Sequence, residues 1–341
     1  MNKVIIPRSI GILYSLGNHL TNKHDGKGSS ELDFSHWGGH RYFPISQFYK
    51  QRFGEKVYKV SVSIAETCPN RQPNTRMPLC IFCDEWGSAA YHLERDKPLQ
   101  EQIIINREKI AKRYRAKKFL VYFQSYTNTF DRVSELEQRF EVALSEENIA
   151  GIVLGTRPDC LPARILPLLQ KTHESHYVMV ELGLQSFFDH HLTFLQRGHD
   201  VQRGYDAIAK LHEHTGVDIG IHLIFGLPDE TDEEIIQTAQ ILNNLPISNV
   251  KLHNLHVLSK TPLAEQYERG EFQPIELDEY INKVTLFLQH LSPDIAVQRL
   301  AAVASRWDEF IAPQWTKEKM RPTQAIEDQL KIQSIYQGKL S

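Results

Sequence analysis

Short runs rich in Val, Ile and Phe alternate with longer stretches of helical periodicity from about residue 56 onward, and that alternation narrows the fold more than any other feature. It is the pattern of repeated βα units feeding a parallel sheet. Six strand candidates stand out: KVYKVSVSI (Lys56 to Ile64), FLVYF (Phe119 to Phe123), GIVLG (Gly151 to Gly155), YVMVELG (Tyr177 to Gly183), DIGIHLIFG (Asp218 to Gly226) and VKLHNLHV (Val250 to Val257). IAVQRL (Ile295 to Leu300) is a candidate for one more. Thr231, with Glu234 three residues on, forms a capping box ahead of a helix whose Ile235, Ile236, Ala239 and Leu242 share a face. Leu277, Tyr280, Ile281, Val284, Leu288 and Leu291 recur at three- and four-residue steps and predict a second amphipathic helix. The expected architecture is α/β: a partial TIM-type (βα)6 barrel over residues 56–258, an irregular extension before it (1–55), and a helical C-terminal part completing and capping it (259–341).

In parallel βα architectures the chemistry sits on loops leaving the carboxyl ends of strands. The polar segments of this sequence fall there repeatedly. A cysteine-bearing loop follows the first strand, QSYTNT (Gln124 to Thr129) the second, and TRPDC (Thr156 to Cys160) the third. QSF (Gln185 to Phe187) and QRGH (Gln196 to His199) follow the fourth, and LPDE (Leu227 to Glu230) the fifth. Some of these residues, Pro228 and Thr231 among them, are turn and cap chemistry; the run of loops on one rim predicts an active site at the barrel mouth.

Three of the four cysteines, Cys68, Cys80 and Cys83, are spaced C-x11-C-x2-C on the first of these loops. So few cysteines, so clustered, make a poor disulfide framework, which favours a reducing compartment, the cytoplasm, and a metal-binding or catalytic role. No apolar stretch approaches the roughly 20 residues of a membrane helix. The N-terminus, interrupted by Pro7, Arg8 and Gly11, is expected to be mature sequence rather than a signal peptide. A net charge of -3 gives no whole-protein footprint for nucleic acid. From spacing alone the thiols allow three readings. A 4Fe-4S cluster on three cysteines would keep one iron open for catalysis; a structural zinc would need Cys160 or a histidine such as His92 as fourth ligand; or they are plain loop cysteines.

The cysteine loop resembles the cluster motif of the radical S-adenosylmethionine (SAM) superfamily, in which an aromatic residue, here Phe82, precedes the last cysteine. The wide first gap, the CPNR opening and the KVYK strand are similar to the YhcC-like family, relatives of the radical SAM domain of the Elongator catalytic subunit. The likeness continues through YFQSYTNTF, GTRPDC, VELGLQSF with QRGH after it, HLIFGLPDET, VQRL and ASRW, covering roughly residues 56–315. Two segments depart from it: RQPNTRMPLC lacks the glycines usual before the second cysteine, and AAVA follows VQRL where a Thr-Gly pair is common. The resemblance implies that Cys68, Cys80 and Cys83 ligate three irons, that SAM chelates the fourth, and that an electron from the cluster cleaves SAM to methionine and a 5′-deoxyadenosyl radical. It implies an oxygen-sensitive enzyme served by a reductant such as flavodoxin or ferredoxin.

By the same resemblance Arg197 and Gln185 contact SAM, the backbone of Gln124, Ser125 and Tyr126 receives its amino group, and Gly226 and Leu227 lie against the adenine. Cys160 is either a small buried side chain or, from its place on the rim, a hydrogen-atom donor or substrate anchor. One remaining cysteine cannot hold a second cysteine-ligated cluster, which argues against methylthiolation and auxiliary-cluster peptide chemistry. His222, His253 and His256, on the fifth and sixth strands, are core histidines or polar barrel liners. The segment Asn106 to Lys118 carries seven Lys or Arg against one Glu, a solvated helix face or a phosphate-tracking patch. An RNA nucleoside, tRNA foremost, is the expected substrate and a small metabolite the alternative. No acetyltransferase domain follows the barrel in this sequence. The rival of another class is a zinc-stabilised RNA-binding protein without turnover.

Overall fold

A computed structural model describes residues 33–65, 68–71, 78–85, 87, 94–304 and 307–341. Most of the first-predicted extension, His92, Trp86 and part of the cysteine loop lie outside them. Helix α1 (Ile45–Phe53) comes first, followed by the barrel strands β1 (Val57–Val62), β2 (Lys118–Phe123), β3 (Ile149–Thr156), β4 (Tyr177–Gln185), β5 (Asp218–Phe225) and β6 (Asn249–Asn254). Between these strands run α2 (Leu99–Tyr114), α3 (Val133–Leu144), α4 (Leu166–Ser175), α5 (Asp189–Phe194), α6 (Val201–His214) and α7 (Asp232–Asn243). Then come β7 (Val257–Leu258), α8 (Pro262–Glu268), α9 (Leu277–His290), β8 (Ala296–Val297), β9 (Phe310–Ala312) and α10 (Arg321–Ile332).

The six predicted strands all form and pair in chain order, every pair parallel. A seventh, β8, adds beside β6 where IAVQRL placed it. The sixth candidate splits: β6 ends at Asn254, and β7 leaves the barrel to pair antiparallel with β9. The sheet curls with its helices outside. Val62, Val121, Phe123, Ile152, Leu154, Val178, Val180, Ile219 and Ile221 pack outward against Ile103, Leu136, Phe140, Leu169, Ile208, Leu211, Ile235 and Phe287, one continuous core that also takes in Ile326 and Leu330 of α10. The capping box at Thr231 is complete, with Glu234 N donating to the Thr231 hydroxyl at 3.2 Å and Thr231 N to the Glu234 carboxylate at 3.0 Å.

The expectation of an irregular extension up to residue 55 needs correction, because Ile45–Phe53 is a helix. Its cause is a short amphipathic pattern: Ile45, Phe48, Tyr49 and Phe53 turn inward onto Val57, Leu120, Val153, Tyr177 and Met179. Tyr49 meets Tyr177 edge to face, ring centroids 6.3 Å apart, so α1 floors the N-terminal end of the barrel. The open edge at β8 is covered by the residues just before α1. Val297 N donates to Phe43 O at 2.7 Å. Gln337, 1% exposed, accepts from Phe43 N at 2.9 Å and donates to Ser292 O and Ile295 O at 2.6 and 2.8 Å. Gln337→Leu is expected to lower the free energy of unfolding by about 2–3 kcal/mol, because buried backbone groups lose their partners; urea denaturation that leaves the midpoint unchanged would remove this role.

Candidate active site

The three cysteines meet at the C-terminal rim, Cys68 at one turn and Cys80 with Cys83 at another. Cys68 opens a 3-10 turn (Pro69–Arg71) and its carbonyl accepts from Arg71 N at 2.9 Å. Cys80 is 3% exposed, and Cys83 N donates to Cys80 O at 3.0 Å, curling the C-x2-C pair into one turn. Ile81, between them, is fully buried in a satellite core with Leu195, Ile224, Leu227, Leu255 and Leu263. Its N–H donates to Leu195 O and its carbonyl accepts from Leu263 N, so the apolar residue of the pair holds the loop to the rim.

Three guanidinium groups surround the sulfurs. Arg71 Nη2 lies 3.4 Å from Cys83 Sγ, and Arg197 Nη1 lies 3.3 Å from Cys80 Sγ. Arg157 Nη1 lies 4.0 Å from Cys68 Sγ and 3.9 Å from Cys80 Sγ. Burial pushes the Cys83 thiol up, and Arg71 opposes it. Burial outweighs Arg71, so the guanidinium groups reduce the cost of a charge on sulfur without removing it. The sulfurs are not packed as for one ion. Among the described residues, no three of the four cysteines bring their sulfurs within 4.8 Å of one another; the trio that does close is His190, His191 and Glu234, away from the thiols in sequence. A tetrahedral zinc draws its ligands closer than that, whereas a cluster spreads them, one thiolate to each iron. The spacing of the three thiols therefore fits a cluster better than a single ion.

Arg157 was not singled out from sequence, and it is the residue that ties the site together. It is 3% exposed, forks onto Asp159 with two bonds of 2.9 Å, reaches Asn70 Oδ1 at 2.5 Å, and donates to Arg197 O at 2.6 Å. Asn70 in turn donates to Pro78 O and Gln196 O. One side chain after β3 thus joins the cysteine loop to the loop that carries Arg197. Burial raises the Asp159 carboxyl, and the Arg157 fork more than reverses it.

The other predicted residues occupy the same rim. Phe82 lies under Arg197, whose Cζ is 5.9 Å from the ring centroid, and Arg197 Nη2 donates to Gly183 O at 2.9 Å. Gln124 N donates to Val62 O at 3.2 Å. Ser125 and Tyr126 adopt φ of 74° and 49°, a turn glycines usually make. Ser63 holds Ser125 through a 2.8 Å hydroxyl contact, and the Tyr126 ring packs so near Gly87 that a Cβ there would come within 2.8 Å of it. Gln185, at φ 76°, ends β4. Gly226, at φ 83°, donates to the Glu230 carboxylate at 2.9 Å, and a Cβ on it would strike Ile275 at 2.5 Å; Leu227 is buried beside Ile81. Burial pushes Glu230 up to about 7, its bonds to Gly226 and Lys283 opposing.

Cys160 closes the short turn Pro158–Cys160, 7% exposed, its sulfur 3.9 Å from Asp159 Oδ1. Burial and the Asp159 charge push its thiol up to about 12, the behaviour of an inert buried thiol. His222 Nε2 meets Glu181 Oε2 at 2.7 Å inside the barrel. His253 bonds its neighbour's carbonyl, Asn254 O, and packs edge to face on His256. The basic segment forms the C-terminal half of α2 and the turn into β2, which places it at the N-terminal end of the barrel, opposite the cysteines. Arg107, Lys109 and Lys118 are paired there with Glu146, Glu94 and Glu55. It is a solvated helix end remote from the rim.

A parallel half-barrel with three clustered cysteines on the loop after its first strand is the architecture of enzymes that carry a cluster at the barrel mouth. The chain belongs to the radical SAM superfamily: that family's model matches residues 62–242, and the Radical_SAM C-terminal domain matches residues 247–332. Within it the chain stands with the YhcC-like proteins, being 34% identical over 270 residues to Protein YhcC of Escherichia coli, across 79% of this chain and 85% of that one. It is 26% identical over 156 residues to a tRNA uridine(34) acetyltransferase of Methanocaldococcus jannaschii, covering 45% of this chain and 28% of that protein. The solved archaeal Elp3 of Methanocaldococcus infernus superposes with a TM-score of 0.62 at 17% identity, covering 82% of this chain and 64% of that one. Among the described residues no helix is long and apolar enough to cross a membrane.

Proposed function

We propose that this radical SAM enzyme acts on a nucleoside in RNA, tRNA foremost. Cys68, Cys80 and Cys83 would hold one 4Fe-4S cluster, with Arg197, Gln185, Gly226, Leu227 and the Gln124 to Tyr126 backbone placing SAM against it. Cluster and SAM together supply one-electron cleavage of a sulfonium bond and abstraction of hydrogen from carbon. The chain's own residues do the rest: Arg157 fixes the two loops, Ile81 and Leu227 exclude water from beneath them, and Arg197 offers a charged fork for a carboxylate. An electron donor of the flavodoxin or ferredoxin kind completes this reading.

The observation that carries the RNA assignment is a groove on the same rim. Phe130, 41% exposed, lines a cavity of about 520 Å³ beyond the ends of β2 and β3 with Arg132, Arg164, Val133 and Asp131, the last paired with Arg139. An exposed aromatic ring in one groove with two guanidinium groups is a platform on which a base stacks while phosphates are held. Partial kinship to a tRNA uridine(34) acetyltransferase points the same way. The test is 5′-deoxyadenosine formation by the reduced, cluster-loaded protein with and without tRNA. Acceleration by tRNA, lost in Phe130→Ala, is the expected result; an unchanged rate, with no tRNA co-purifying, would move the assignment to a small metabolite.

A further inference from the structure

Charged residues inside a barrel of strands need a reason, and this barrel holds several. Lys59 on β1, Glu181 on β4, His222 on β5 and Lys251 on β6 turn inward, joined by Tyr122 from β2 and by Gln298 and Arg299 after β8. Glu181 is fully buried and is the hub: it takes the Lys59 ammonium, Gln298 Nε2 at 2.8 Å and His222 Nε2 at 2.7 Å, with Lys251 Nζ at 3.6 Å. The two ammonium groups flank one ring, 4.9 and 4.8 Å from the Tyr122 centroid. Lys251 also donates to Tyr122 Oη at 3.1 Å.

The charges do not balance. Among the described residues Glu181 is the one carboxylate within ion-pair distance of Lys59, Lys251 and His222. Arg299 donates through Nε to Leu252 O at 3.2 Å and, among the described residues, has no carboxylate within ion-pair distance and no further hydrogen bond from its guanidinium. Its carbonyl accepts from Leu252 N at 3.1 Å, which sets Arg299 beside β6 next to Lys251 and His253, and its charge lowers both of them. Burial lowers Lys59 and brings Lys251 down to about 7, although their side chains remain 17% and 16% exposed. Side chains that are both desolvated and reachable by water border an interior space. Three partly buried cations with one carboxylate among them are in excess of it, and a site that keeps them has room for a second anion.

We infer that the lumen is an oxyanion receptor, in which Arg299, Lys251 and Lys59 bind an anionic oxygen group carried on the reacting part of the substrate. The depth fits that role. Glu181 lies two residues down β4 from Gly183, whose carbonyl Arg197 contacts, a drop of about 6.6 Å at strand spacing. A backbone phosphate held on the rim does not reach so far between strands, while a carboxylate or phosphate on a base or small molecule does. The planar Arg299 fork suits either oxyanion. The inference leans on the proposed function only for where the reacting centre lies.

The experiment is thermal unfolding of the full chain with acetate, inorganic phosphate or neutral acetamide, against chloride at equal ionic strength. Acetate or phosphate at about ten times its dissociation constant is expected to raise the unfolding temperature by about 2 °C, and acetamide by nothing. Whichever anion acts at lower concentration identifies the oxyanion as carboxylate or phosphate. Arg299→Gln should abolish the rise, Arg299→Lys should keep part of it, and Lys210→Gln, on the exposed face of α6, should keep it whole. If Arg299→Gln does not fold, Lys251→Gln carries the same comparison. An equal rise with acetamide, or an undiminished rise in Arg299→Gln and Lys251→Gln, overturns the inference. Iron content and SAM cleavage are read separately: a protein that binds cluster but shows no anion response loses the receptor alone, and one that responds to anions but takes up no cluster loses the proposed function alone.

Discussion

Cys83→Ala is expected to leave a folded protein that, after anaerobic reconstitution, holds far fewer than the about four iron atoms per chain of the parent and forms no 5′-deoxyadenosine. The loop does not depend on that thiol for its place, because Ile81 is buried and bonded at both its N–H and its carbonyl. On the proposed assignment the variant loses a ligand beside Arg71, and a cluster with two thiolates is not retained. Cys160→Ala is the matched comparison. Its thiol is held high by burial and turned to Asp159, so iron should stay near four. Equal loss of iron in both variants would make Cys160 a ligand and close the iron left for SAM. One zinc and no iron in the parent would instead support a structural metal and a protein without turnover.

Arg157→Met is expected to cost about 3–5 kcal/mol of stability, since it leaves Asp159 without its guanidinium among buried neighbours. Stability alone does not separate positioning from packing. Arg157→Lys keeps the charge but cannot reach Asp159, Asn70 and the Arg197 carbonyl together. That variant should fold, take up iron less completely, and shift the pattern of the reduced cluster's electron paramagnetic resonance signal when SAM is added. A Lys variant with normal iron and an unaltered signal would reduce Arg157 to a packing residue.

The strands were legible because each is a dense apolar run bounded by polar turns, and the helix after Thr231 because its cap is written in two residues three apart. The three thiols were legible as a unit since cysteine is rare here, and Arg197 through the resemblance of QRGH. Arg157 was not, although TRPDC was placed on the right rim: in sequence a buried arginine looks like a surface one, and only its partners from two other loops distinguish it. Helix α1 escaped because its four apolar residues are spread among Ser, Gln, Lys and Arg over nine positions, too short a span for periodicity to stand out. The lumen left a fainter trace, charged residues at Lys59, Glu181 and Lys251 inside otherwise apolar strands. Their convergence depends on the closure of the sheet, which no single strand reveals.

Gln337 gives the molecule a timetable. The amide that satisfies Phe43 stands 294 residues after it, and it also serves the carbonyls leading into β8. During synthesis Arg41 to Phe43 therefore emerge long before their partner exists, and the edge at Val297 cannot be finished until Gln337 has left the ribosome. Until then the nascent chain carries an unfinished sheet edge of the kind other chains can pair with. The turn that carries Gln337 acts as the latch on a barrel whose first strands were made hundreds of residues earlier.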